Sequence, residues 1–178
     1  MSVKEALEDV EIGFRQLEFA IKLLSYCEAG HIKPNEFDTD HLITLQDGDI
    51  HLPSGYFSDP DNILKAVSIG VLIAFSTPAL VLDKAFEIAG IVADPQSNDP
   101  VVRLRTLIYM VRCAQAHGVA NPQWEVRGKY RTVLTVDING KSTALDLSSL
   151  DGKPFDIGVI GGYENWYRMR AKAMKILS

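Results

Sequence analysis

The fold follows from the stretch between Pro100 and His117, which reads PVVRLRTLIYMVRCAQAH. Asp99 precedes it, so a side-chain oxygen stands at the N-cap and proline at the first helical position, where its missing amide costs nothing. Apolar residues then recur at steps of three and four, the period of an amphipathic helix, so we predict a helix over 100–117 ended by Gly118. Gln115 falls on the apolar side, and we expect the stripe to leave the core there. The stripe itself comprises Leu104, Leu107, Ile108, Val111 and Ala114.

Helices are predicted on both sides of this stretch. The same pattern of an N-cap residue followed by proline occurs at Asp59-Pro60 and at Thr77-Pro78. It predicts helices over 60–76 and 78–89, with a break at the Ser76-Thr77-Pro78 segment. A long amphipathic helix is predicted from Val3 to about Cys27, stopped by Gly30. A last helix is predicted from about 163 to 177.

Two other segments have strand and turn signals. Tyr130 to Ile138 alternates β-branched residues, Asn139-Gly140 is a tight-turn pair, and a second strand follows from Lys141 to Leu147. Residues 31–58 lack sustained periodicity and predict a long loop with a small hairpin near Gln46-Asp47-Gly48. The predicted fold is therefore mainly α and a single domain over 1–178. It consists of a helical bundle over 1–120, a β-hairpin or meander extension over 121–162, and a C-terminal helix over 163–178.

Composition places the chain among soluble globular proteins. Of its 178 residues, 47% are hydrophobic and 23% charged. The start is acidic and amphipathic, unlike a signal peptide, and two cysteines fit a reducing cytosol, so we expect a cytoplasmic protein. The uncharged stretch from Ala66 to Leu82 approaches the length of a membrane span, but Ser, Thr and Pro interrupt it, so we expect a core helix and no membrane partner.

Charge is unevenly distributed along the chain. The formal net charge is -5, yet residues 1–61 carry thirteen acidic and four basic residues, whereas residues 101–131 carry six basic residues against one acidic residue. A local basic surface on an acidic protein attracts phosphate or an acidic partner. Ordinary solvated faces are the alternative interpretation.

Arg112 and His117 stand in the last two turns of the predicted helix. Imidazole transfers protons near neutral pH and guanidinium stabilises charge on phosphate oxygens, so the pair could process an RNA phosphodiester without metal. The structural alternative is that both cations complement the helix dipole and its last carbonyls.

An arginine followed after four residues by a histidine, at the end of an amphipathic helix in an acidic bundle, resembles the HEPN superfamily over residues 1–117. The resemblance implies a small helical bundle, often a homodimer. It also implies either a metal-independent endoribonuclease of toxin–antitoxin or defence systems, or a non-catalytic module that binds RNA, a nucleotide or a protein partner. Arg112 and His117 would then be the catalytic pair. Cys113 departs from the family, which usually has a polar residue there.

Neighbouring residues are candidates for substrate binding. Arg105 and Tyr109 share a helical side with Arg112, and Arg127, Lys129 and Tyr130 follow the helix and could form a phosphate site. We predict that these five residues bind the substrate.

Two rival sites use the cysteines. Cys113 and His117 lie four residues apart, so a thiol activated by imidazole is conceivable, although a small core cysteine is the commoner case. Cys27 and His31 have the same spacing, and the two pairs together could make a two-Cys, two-His metal site. Against this site, Gly30 should end the first helix before His31, and the two pairs lie far apart in sequence. No cofactor motif occurs, so we predict neither metal nor cofactor.

Overall fold

The computed structural model describes residues 1–116, 118 and 120–178. Two long helices, α1 (Val3–Glu28) and α3 (Pro60–Ile88), pack side by side along their length. Helix α4 (Pro100–Ala116) packs against α3, and α5 (Gly162–Leu177) contacts α1, α3 and α4. A single-turn helix, α2 (Pro34–Phe37), follows α1. The mainly helical architecture predicted from sequence is confirmed.

Helix α3 is continuous through Pro78, so the predicted break between two helices is wrong. Proline lacks the amide that would donate to the carbonyl of Ala74, a loss that usually ends or kinks a helix. Here Pro78 is buried against α1, where the backbone of Gly13 comes close enough that an added Cβ would lie 3.3 Å from Pro78 Cα. Packing across the two helices therefore offsets a local preference for a break.

The predicted N-caps at Asp59 and Asp99 and both predicted hairpins form, whereas Thr77 lies inside the continuous helix α3 and is not an N-cap. Asp59 Oδ1 accepts from the Asp61 amide at 3.0 Å, and Asp99 Oδ1 accepts from the Val101 amide at 2.7 Å. The long segment after α1 contains the hairpin β1 (His41–Leu45) and β2 (Gly48–Leu52), whose strand residues are all exposed.

The second hairpin consists of β3 (Val133–Ile138) and β4 (Lys141–Asp146). At its turn Asn139 and Gly140 have φ values of 53° and 78°, which are the positive angles that an Asn-Gly turn tolerates. The Asn165 side chain accepts from the Asn139 amide at 3.0 Å and donates to Ile160 O at 2.7 Å, so this turn is fixed to α5.

Large aromatic residues join the helices into one core. The Trp166 ring of α5 lies 5.8 Å from the ring of Phe14 in α1 and 5.1 Å from that of Phe75 in α3. The buried face of β3 covers α4 through Leu134 and Val136. Gln115 is buried as well, so the expectation that the α4 stripe leaves the core there is wrong. The predicted apolar stripe of α4 is otherwise buried or half-buried.

In the part of the chain that the structure describes, α3 is the one helix long and apolar enough to cross a membrane. A third of its apolar window (33%) is buried inside the protein. The apolar window is therefore only partly buried.

Candidate functional site

One side of α4 presents a row of polar side chains above the core. Arg105, Tyr109 and Arg112 are spaced by four and three residues, so they lie on the same side of the helix. Their exposure differs, because the Arg105 side chain is 7% exposed and that of Arg112 is 38% exposed. His117, the predicted partner of Arg112, lies outside the described residues, so its catalytic role stays a prediction.

Asp83 of α3 binds the two arginines of this row. One carboxylate oxygen pairs with Arg105 Nη1, and Arg105 Nε donates to Ile91 O at 3.3 Å. The other carboxylate oxygen lies 3.9 Å from Arg112 Nε, which is an ion pair beyond hydrogen-bond range. Arg112 Nε is buried and has no hydrogen-bond partner among the described residues. Arg105 is therefore bound by two partners, whereas the Nε of Arg112 has none within hydrogen-bond range among the described residues.

The chain folds back beside α4 after the helix ends. The Gln123 amide donates to Ala114 O at 3.2 Å, and Trp124 exchanges backbone hydrogen bonds with Gly152 and Lys153. Trp124 and Val126 are buried, so in this extended segment the alternate residues Glu125 and Arg127 face away from the core. Tertiary packing of one tryptophan thus directs a basic segment toward the α4 row.

Asp151 holds the far side of this segment. Its carboxylate accepts from the Val126 amide at 2.9 Å and pairs with Arg131, whose Nε donates to Val126 O at 3.1 Å. The bond from the Val126 amide, followed by the contact with Arg131, lowers the pKa of Asp151 below its usual 3.8. The carboxylate therefore stays ionised and keeps residues 126–131 in place at neutral pH.

A cleft of about 420 Å³ lies between α4 and residues 125–130. A pair of tyrosines lines it, since the ring centroids of Tyr109 and Tyr130 lie 5.1 Å apart in a tilted arrangement with an interplanar angle of 32°. Lys129 Nζ lies 5.6 Å from the Tyr130 ring, and it is 3.7 Å from Asp94. Four of the five predicted substrate-binding residues line this cleft together with Arg112: Tyr109, Arg127, Lys129 and Tyr130.

Arg105, the fifth predicted substrate-binding residue, lines an adjoining cleft of about 220 Å³ with Tyr109 and Tyr130. Its guanidinium carbon lies 5.6 Å from the Tyr109 ring. Because its charge is taken up by Asp83, this geometry favours a role in positioning Tyr109. The predicted substrate contact by Arg105 stays a prediction.

Cys113 lies one turn beyond Tyr109 and also lines the main cleft. A hydrogen bond with the Cys113 side chain, followed by burial, raises the pKa of Tyr109 to about 12. The pKa of Tyr130 is raised mainly by burial. Both phenols are therefore neutral at physiological pH and can act as hydrogen-bond donors. The contact with Tyr109 gives the cysteine a structural partner within the cleft.

Three acidic residues of this region were missed in the sequence. Glu125 lines the cleft and pairs with Arg127, Asp83 binds the arginines, and Asp151 holds the basic segment. The sequence does mark Asp83 as unusual, because it is the first charged residue after the uncharged stretch from Ala66 to Leu82. The sequence does not show that Asp83 binds Arg105, because the two residues are 22 positions apart.

The cysteines do not form a recognisable metal centre within the described ranges. Cys27 and Cys113 are both free and half-buried. Among the described residues, no group of three or more His, Cys, Asp or Glu side chains is placed to hold a metal ion.

Comparison with protein-family models, with curated proteins and with solved structures gives no match to this chain. The resemblance to the HEPN superfamily thus rests on the spacing of Arg112 and His117 in the sequence and on the mainly helical fold.

Proposed function

We propose that this chain is a cytoplasmic, HEPN-like protein that acts on RNA, as a metal-independent endoribonuclease of the toxin–antitoxin or defence type. One observation carries the proposal. Arg112 shares a cleft with Arg127, Lys129 and the paired rings of Tyr109 and Tyr130, and His117 is five residues further along the chain.

The cleft has the chemistry that single-stranded RNA requires. Guanidinium and ammonium groups bind phosphate oxygens, and aromatic rings stack on bases. The lining includes three cations, Arg112, Arg127 and Lys129, against one acid, Glu125. Arg112 supports the proposal most directly, because its side chain is 38% exposed and its ion pair with Asp83, at 3.9 Å, is beyond hydrogen-bond range.

The reaction proposed is an internal transfer at phosphorus. The 2′-oxygen of the RNA attacks the adjacent phosphorus and its proton passes to the His117 imidazole. The bond from phosphorus to the 5′-oxygen breaks, and that oxygen takes up a proton from water. Arg112 stabilises the extra negative charge on the phosphoryl oxygens. The products are a 2′,3′-cyclic phosphate and a free 5′-hydroxyl.

The test is cleavage of mixed RNAs by the full chain in the presence of a metal chelator. Arg112→Ala and His117→Ala should each lower cleavage by about 100-fold or more, the usual size of acid–base or charge-stabilising effects. Matched controls are Arg15→Ala, an exposed arginine of α1, and His51→Ala, an exposed histidine of β2, which should cleave normally. Equal activity of all four variants contradicts the proposal.

A second function, binding without cleavage, is favoured by the ion pair between Arg112 and Asp83 and by Cys113. A guanidinium held by a carboxylate is less available to a transition state, and a thiol orients a histidine less well than the polar residue usual in the family. In that case the chain binds RNA or a nucleotide, and Arg112→Ala weakens binding while no variant shows cleavage. A protein partner at the same cleft would compete with RNA.

We also propose that the protein is a homodimer through the helical bundle. Each of the long helices carries an uncharged row at the alternating steps of four and three that coiled-coil helices use. In α1 this row is exposed at Ile12, Phe19 and Tyr26, which are 57%, 65% and 53% exposed. The complete rows are Ile12, Gln16, Phe19, Leu23 and Tyr26 in α1, and Ala66, Gly70, Ile73, Thr77 and Leu80 in α3.

The two rows lie on the same side of the helix pair, and the α1 row has larger side chains than the α3 row. Phe19 and Leu23 line one groove with Ala66 and Gly70, which shows that they face the same way. A Cβ added to Gly70 would meet nothing within 4 Å, so there is open space above α3. Around a two-fold axis, the large residues of one copy's α1 would fill the space over the small residues of the other copy's α3 without burying a charge.

A further inference from the structure

A second cavity, of about 770 Å³, lies between the first turns of α4, the hairpin of β3 and β4, and α5. It shares no lining residue with the cleft of Arg112. Its volume falls within the range of about 300–1,000 Å³ that is usual for sites of small molecules. The inference drawn from it is independent of the RNA-directed function.

The floor of this cavity is apolar. Leu107 of α4, Met169 of α5 and Val136 of β3 line it and are 1%, 2% and 6% exposed. Val101 and Leu104 extend the apolar lining toward the start of α4. A hydrocarbon chain laid along this floor would be removed from water, which is the main source of affinity for such ligands.

The rim of the cavity is cationic. Four basic side chains line it, against one carboxylate, that of Asp137. Arg103 is held by Ser97 O at 2.8 Å and Asn98 Oδ1 at 2.6 Å. Lys172 pairs with Asp137 at 2.5 Å, and Arg168 pairs with Glu164 at 2.6 Å. Lys175 makes no ion pair or hydrogen bond with any described residue. The basic residues are Arg103, Arg168, Lys172 and Lys175.

We propose that this cavity binds an amphiphilic anion, namely an aliphatic carboxylate of medium chain length. The hydrocarbon chain of the ligand would lie on the apolar floor, and its carboxylate would bind the cationic rim. Charge complementarity decides the sign of the head group, because a cationic rim on a chain of net charge -5 selects an anion over a cation with the same tail. Lys175 is the cation with free capacity for the head group.

The test is calorimetric titration of the full chain with sodium decanoate and with decyltrimethylammonium, each below its micellar concentration. Decanoate should bind saturably at one site and about tenfold more tightly than the cationic amphiphile. Ala171→Trp places an indole in the cavity from an exposed position of α5 and should abolish binding of both without lowering Tm.

A matched pair of variants tests whether the cavity prefers an anionic head group to a cationic one. Lys175→Glu should weaken decanoate binding about fivefold and strengthen binding of the cation, whereas Lys33→Glu, an exposed lysine remote from the cavity, should change neither. The proposal is overturned by any of three results: no saturable binding of decanoate, equal affinity for the two amphiphiles, or unchanged binding by Ala171→Trp. Saturable binding of decanoate with selectivity lost in Lys175→Glu supports it.

Discussion

Asp83 Oδ2 lies 3.9 Å from Arg112 Nε, while the other oxygen of the same carboxylate binds the buried guanidinium of Arg105. One acidic residue of α3 therefore connects the packed interior of the bundle to the candidate cleft. The position of the arginine proposed to contact phosphate depends on the helix pair beneath it. Asp83 thus connects the stability of the bundle with the proposed role of Arg112.

Replacing Asp83 by alanine should cost about 3–5 kcal/mol of unfolding free energy, because it leaves the Arg105 charge buried and without its partner. Side-chain exposures of 14% for Asp83 and 7% for Arg105 place the pair among buried ones. Glu87→Ala is the control. It removes an exposed partner of Lys84 from the same helix and should change the free energy by less than about 0.5 kcal/mol. Denaturant titration measures both, and equal losses would contradict the assignment.

Features that depend on neighbouring residues could be predicted from the sequence. The caps at Asp59 and Asp99 and the turn at Asn139-Gly140 form because a side chain or a backbone preference acts within a few residues. The gathering of Tyr109 and Arg112 on one side of α4 follows in the same way from helical spacing.

Features that depend on distant contacts could not be predicted. Pro78 was expected to break α3, and only its packing on Gly13 shows why the helix continues. The approach of Tyr130 to Tyr109 depends on Trp124, which anchors the returning chain in the core. A hydrophobic period identifies which residues are buried but not which charges meet, and that is why Asp83 was missed.

Tyr130→Ala should weaken binding of a short single-stranded RNA by about 1–3 kcal/mol, because it removes a ring on which a base can stack. Tyr130→Phe keeps the ring and loses only the hydroxyl, which donates to Ala93 O at 3.4 Å, so it should bind nearly as well as the unmodified chain. Fluorescence anisotropy with labelled RNA measures the affinities. If Tyr130→Phe binds as poorly as Tyr130→Ala, stacking is not the contribution of this residue.

Asp151→Asn should destabilise the protein at neutral pH and not in acid. Because the pKa of Asp151 is lowered in the folded chain from 3.8, its ionised form contributes stability above that pH. The contribution is lost as the pH falls below 3.8 and through the folded value. The difference in denaturation midpoint between the unmodified chain and the variant should therefore be largest at pH 7. It should disappear as the pH falls below 3.8 and through the folded pKa. A difference that is constant with pH would show that the carboxylate charge is not what holds residues 126–131.

Phe19→Glu and Ile73→Glu should each convert the protein to a monomer, because each puts a charge into the uncharged rows of α1 and α3. Both residues are exposed in the single chain, at 65% and 49%, so neither change should unfold it. Ser25→Glu adds the same charge at an exposed position of α1 outside the row and should leave the dimer intact. Sedimentation equilibrium gives the masses. A monomer in the unmodified chain, or a dimer in all three variants, contradicts the proposed interface.

Gly13→Ala should be less stable than Gly70→Ala by about 1–3 kcal/mol, although both replace a glycine inside a long helix. Alanine favours the helix by about 1 kcal/mol over glycine, and at Gly70 the added methyl meets nothing, so that variant should gain stability. At Gly13 the methyl would lie 3.1 Å from Val81 Cγ2 and 3.3 Å from the Pro78 backbone, which cannot move without unpacking α3 from α1. Both are best compared by thermal denaturation in the Phe19→Glu background, where self-association through the α1 row is blocked. Equal stability of the two variants would mean that the close approach at Pro78 does not hold these helices together.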